Sequence, residues 1–73
     1  MGFDTMRDAV RRSPFRAFTL RMNDGREFYI AHPELIAVAL NHVYVVDEKT
    51  QRGIFLEPQL IASMQVEDHA KAG

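Results

Sequence analysis

His32-Pro33-Glu34 places a histidine two residues from a carboxylate, the kind of spacing at which a strand could hold two metal ligands on one face. The residue between them spoils it. Proline has no N–H to give a sheet ladder, so a strand reaching His32 should stop there. The stretch is therefore read as punctuation, with His32 closing a strand, Pro33 setting a structural turn and Glu34 in water. His42 and His69 are remote in sequence, and the chain has no cysteine, which removes a thiolate site. A zinc ion needs three or four ligands. No metal and no cofactor is expected.

The other polar residues each have a structural use. Paired carboxylates in a cleft would suit acid–base catalysis. Asp24, however, is a turn residue, Asp47 and Glu48 open a polar loop, and Glu67-Asp68 lead into the tail. Ser13 and Ser63 lack the glycine-flanked elbow of a nucleophile, and there is no glycine-rich phosphate loop. At 73 residues, little room is left for a substrate cavity beside a core. The expectation is a protein that is not an enzyme.

Nucleic acid is the next candidate partner. Residues 1–26 hold six arginines and three aspartates, a charge of +3, while residues 27–73 hold three lysines or arginines and seven carboxylates, a charge of −4. Arg16, Arg21 and Arg26 fall on or near one predicted hairpin, Tyr29 shares its outward face and could stack a base, and Arg52 lies further on. The plainer reading is favoured. Arg21 faces Glu27 across the hairpin, and an outward Tyr29, like Tyr44 and Phe55, marks a protein interface.

The elements that carry these residues follow from periodicity. Phe3, Met6 and Val10 recur at helical spacing, Asp4 or Thr5 can cap, Asp8 and Arg12 stand at i,i+4, and Ser13-Pro14 stops the run. This predicts a helix over about 4–12. From Phe15 the period becomes two, and two strands flank Asn23-Asp24-Gly25. A two-residue loop would mix the faces. A three-residue loop pairs Leu20 with Phe28, Phe18 with Ile30 and Arg21 with Glu27, with Gly25 in the left-handed conformation as a bulge. Residues 34–40 suit a short helix started by Pro33 or a buried strand, and strand–turn–strand through Asn41 into His42–Val46 is adopted. A polar hairpin over Glu48–Gly53 leads to Ile54–Leu56, Pro58 bends the chain, and Leu60–Val66 alternate as a last strand. Residues 68–73 are expected to fray. No internal repeat and no low-complexity segment is read.

The order suggests one domain over 1–73: a short N-terminal helix, then a mainly β, strongly bent antiparallel barrel of five or six strands over about 15–67. Pro14-Phe15, Asp24-Gly25-Arg26 and His32-Pro33-Glu34, with the closing LIASMQV, resemble a family of short bacterial proteins; that likeness implies a fold and no activity. LRMNDGREF, LNHVYVVD and QRGIF are similar, more weakly, to the first hairpin, the asparagine strand and the Arg-Gly turn of Sm-like RNA-binding barrels. That likeness implies an SH3/Sm-like fold and makes Arg52 the counterpart of their arginine. Against it, Ala31-His32-Pro33 stands where those barrels keep a glycine, and fold alone transfers no function.

Composition sets the last expectation. In a chain this short, apolar burial and the entropy of ordering nearly cancel, so small domains need a staple. With no disulfide or metal in prospect and 47% hydrophobic residues, self-association is the expected one. No signal peptide or apolar run of membrane-spanning length is present in this sequence, and a cytoplasmic homo-oligomer that binds or assembles with other protein is expected, with RNA the alternative partner.

Overall fold

The computed structural model describes residues 3–39 and 42–67. One helix, α1 (Phe3–Arg11), precedes six antiparallel strands: β1 (Phe18–Met22), β2 (Glu27–Ile30), β3 (Ile36–Val38), β4 (Val43–Asp47), β5 (Arg52–Leu56) and β6 (Ile61–Val66). They form two three-stranded sheets, ordered β2-β1-β6 and β3-β4-β5. The expected closed barrel is not found among the described residues. The reason lies at the two prolines. Pro33–Leu35 and Pro58–Leu60 each form one turn of 3-10 helix, and at each the chain leaves one sheet for the other. A barrel would need a strand to run on through the bend with its ladder intact, and proline breaks the ladder there.

Inside the two sheets the alternation works as periodicity requires. Phe18, Leu20, Phe28, Ile30, Ile36, Val43, Val45, Leu56 and Ile61 are buried between them. α1 covers one side through Met6, which is fully buried, while Ala9 and Val10 pack at the margin. The helix stops at Arg11, so Arg12 falls outside it and the expected Asp8–Arg12 ion pair is absent; Arg7 reaches Asp4 instead, at 3.8 Å. The side chain of Phe3 and residues 40, 41 and 68–73, which include the Asn41 turn, His69 and the tail, lie outside the described part.

The first hairpin has the register that the apolar pattern selects: Phe18 with Ile30, Leu20 with Phe28, Arg21 with Glu27. Its loop is a tight turn, in which the Gly25 N–H donates to the Met22 carbonyl at 3.0 Å and the Met22 N–H to the Arg26 carbonyl at 2.8 Å. Gly25 has φ +94°, which glycine adopts without the penalty a Cβ imposes. The strand before it starts at Phe18 rather than Phe15, because Phe15 packs against the core from a segment outside the ladder.

Elsewhere the structure departs from the expectation. Residues 33–38 resolve the helix-or-strand alternative as both in succession, one 3-10 turn and then β3. Gly53 is no turn residue. It lies inside β5, and Gln51 takes the left-handed position of the second hairpin at φ +61°. The last strand does not alternate strictly from Leu60. A register shift between Arg21 and Met22 on β1, opposite Ser63 and Ile61, inserts Ala62 as a bulge, so Ile61 and Met64 face inward while Leu60 stays exposed.

The architecture also contains a repeat that the residue pattern hides. β1 and β4 begin at Phe18 and Val43, the 3-10 turns at Pro33 and Pro58, and the strands after them at Ile36 and Ile61, each pair 25 positions apart. The residues Pro-x-Leu-Ile-Ala recur at 33–37 and 58–62. Each half is a hairpin, a proline turn and a third strand. The third strand of each half pairs with the hairpin of the other, β3 on β4 and β6 on β1. The halves are thus related by an approximate two-fold exchange. Only four identities survive in the repeat, which is why a sequence pass does not register it.

Candidate functional site: the outer faces of the two sheets

Because the two sheets are built alike, their solvent faces can be compared directly. On the first sheet the outward positions are Thr19 and Arg21 of β1, Glu27 and Tyr29 of β2, and Ser63 and Gln65 of β6. They are polar and partly satisfy one another. Arg21 approaches Glu27 at 3.9 Å, and the Tyr29 hydroxyl donates to Glu67 Oε1 at 2.8 Å, reaching across β1 to the end of β6. That hydrogen bond, with the Glu67 and Glu48 charges nearby, holds the Tyr29 phenol above its ordinary titration range.

On the second sheet the outward row is Ala37, Tyr44 and Phe55, one residue from each strand in direct register. Phe55 is 72% exposed and Tyr44 37%. Their rings lie 4.8 Å apart and tilted, and the His42 ring meets Phe55 edge-on at 6.3 Å. Gly53, opposite Val46, completes the arrangement: the Tyr44 ring lies so close over its backbone that a Cβ would collide with it. Glycine here serves close approach, a use unrelated to positive φ. No carboxylate or basic residue occupies this row. Ala37, Tyr44, Phe55 and Gly53 make an apolar surface on a fold whose sister sheet shows Thr19 and the Tyr29 hydroxyl in the same place.

The predicted interface residues are therefore divided. Tyr44 and Phe55 come together, whereas Tyr29 lies on the other sheet with its hydroxyl committed to Glu67. Sequence reasoning missed Gly53 and His42 as members of the patch; the signal was the period-two relation of His42 to Tyr44 and of Gly53 to Phe55, which puts each pair on one face.

The arginines proposed for nucleic acid lie on different elements. Arg26 is bound to Asp24, Nε to Oδ2 at 2.8 Å, while its backbone N–H donates to Oδ1 at 3.0 Å. The Asp24 carboxyl is held below its usual range, first by that backbone hydrogen bond. Arg21 faces Glu27, Arg16 lies outside the strands before β1, and Arg52 lies on β5. His32 and Glu34 are exposed on either side of Pro33, and among the described residues no group of three or more histidines and carboxylates is placed to hold a metal. No helix among them is long and apolar enough to cross a membrane.

No protein-family model, curated protein or solved structure matches the chain.

Proposed function

We infer that this protein is a non-enzymatic binding and assembly module whose working surface is the outer face of β3-β4-β5, and that its partner there is another protein surface, with a second copy as the first candidate. The observation that carries this is the contrast between the two sheets. They share one architecture, so whatever the fold requires of an outer face is already met by the polar one on β2-β1-β6. The apolar row on β3-β4-β5 is an addition to that requirement. Exposed aromatics of this kind are the anchors of protein interfaces, and burying Phe55 and Tyr44 would recover the apolar energy that a short chain lacks. RNA binding has the thinner support, because Arg21, Arg26 and Tyr29 are engaged within the chain and the aromatic pair has no arginine beside it.

The test is light scattering and thermal melting of the full chain over a range of micromolar concentrations, with Phe55→Ser beside the wild type. Association stabilises only the folded form, so the wild-type melting temperature should rise with concentration. Phe55→Ser should melt at one temperature throughout and scatter as a monomer. A wild-type chain that is monomeric with a concentration-independent melt would remove self-association.

A further inference from the structure

A cleft of about 280 Å³ opens between β2 and the turn joining β4 to β5. Phe28 and Val45 form its inner wall, Tyr29 and Val46 its sides, and Glu27, Asp47 and Glu48 its rim, with Lys49 the one basic residue lining it. β2 is an edge strand of its sheet, so one side of its backbone runs unpaired along this opening. The cleft thus joins an apolar floor, a free strand edge and three carboxylates, Glu27, Asp47 and Glu48, set against Lys49 and the Arg21 guanidinium 3.9 Å from Glu27.

The complement to this surface is present on the same chain. Arg12 to Ala17 lie outside helix and strand, and Phe15 pins the segment to the body, its ring 5.8 Å from that of Phe18. Among the described residues Arg11, Arg12 and Arg16 form no ion pair, although they lie next to one another along the segment. Arg12 lies on the side of the molecule away from the cleft. α1 packs on β3 and lines a hollow with Met64 and Val66 of β6, and β6 and β2 are opposite edges of the first sheet. Arg12 is thus held away from its own cleft, and the chain's own arginine at the rim is Arg21, 3.9 Å from Glu27.

We propose that the cleft between β2 and the β4–β5 turn receives the Arg12–Arg16 segment of a second copy, in a head-to-tail contact distinct from the apolar face. Guanidinium groups meet the Glu27 and Glu48 carboxylates, and the arginine stems lie along Val46 and the Tyr29 ring. Because the two surfaces differ, the contact is heterologous. It propagates into a ring or a filament instead of closing as a two-fold pair. It is independent of the apolar-face reading and differs from it in salt dependence. Charges at a solvated rim are screened once the Debye length falls from about 30 Å at 0.01 M salt to about 3 Å at 1 M, whereas apolar contact is not weakened by salt.

The experiment is a charge exchange on the full chain, read by sedimentation velocity at about 0.01 M and about 1 M sodium chloride. One variant carries Arg12→Glu and Arg16→Glu, the other Glu27→Lys and Glu48→Lys. Arg12, Glu27 and Glu48 are exposed and Arg16 is half-buried, and circular dichroism verifies that both variants fold. Wild type should associate at low salt and lose that component at high salt. Each variant alone should associate at least tenfold more weakly. An equimolar mixture should recover a complex, because each variant supplies the surface the other lacks. Wild-type association that ignores salt and both variants would overturn the proposal and leave the apolar-face reading standing. So would variants that weaken association without recovering it on mixing. A wild type monomeric under every condition would overturn both.

Discussion

Gly53→Ala perturbs the apolar face without touching the core, and its cost can be worked from the contacts around it. The new Cβ runs into the Tyr44 ring, so that ring must swing away, since the strand backbone beneath it is fixed by the β4–β5 ladder. Leaving its place breaks the tilted packing of Tyr44 on Phe55, worth about 0.5–1.5 kcal/mol beyond area burial. Against this, removing glycine from a strand interior recovers about 0.5–1 kcal/mol of backbone entropy. The net change in stability should stay within about 1 kcal/mol, a shift of less than about 8 °C in melting temperature for a domain of this size. Self-association should suffer more. The ring would then project where it lay flat, and the contact should weaken at least tenfold, about 1.4 kcal/mol. Thermal melts at the lowest workable concentration give the first quantity, and sedimentation equilibrium gives the second. A mutant that associates like wild type would refute the placement of Tyr44 in the contact. A loss of more than about 3 kcal/mol in the monomer would show that Gly53 carries structural weight that its Tyr44 contact does not account for.

Gly25→Val should cost at least about 1 kcal/mol, measured by urea unfolding. Open space surrounds the position, so the loss would be backbone strain alone at φ +94°, and an unchanged midpoint would show the loop to be wrong. Tyr29→Phe should flatten the alkaline limb of stability. The folded-state phenol titrates above its ordinary value of 10.0, so its contribution is fully present below that value and is lost as pH rises through the raised one. Melting temperatures of wild type and variant taken across that window should converge at its upper end, and parallel curves would show that the Tyr29–Glu67 hydrogen bond is not formed.

What the sequence makes legible is local. Two apolar faces and one glycine were enough to fix the first hairpin, because a one-residue slip would have turned Phe18, Leu20, Phe28 and Ile30 to solvent. The same logic could not see how the sheets close. Strand pairing between β6 and β1 joins residues 39 to 48 positions apart, and nothing in the alternation of Leu60–Val66 announces the bulge at Ala62. Tyr44 and Phe55 were legible as outward aromatics, yet their partnership, and the exclusion of Tyr29 from it, depended on which strands share a sheet. Gly53 next to Arg52 reads as a turn by composition. Only the ring lying over it explains why glycine is needed within a strand.

The exchange of third strands between halves has a consequence for how such a chain came to exist. A single unit of hairpin, proline turn and strand cannot finish its own sheet, since its last strand is directed into a neighbour's. Two separate copies would satisfy each other, each lending a strand and receiving one. Joined end to end, they become one polypeptide in which the loan is internal and the second encounter no longer depends on concentration. The two outer faces of such a pair are free to differ, because the ladders that hold it together run edge to edge and ask nothing of the side chains pointing away. Where the first hairpin carries Arg21 opposite Glu27, the second carries Val46 opposite Gly53.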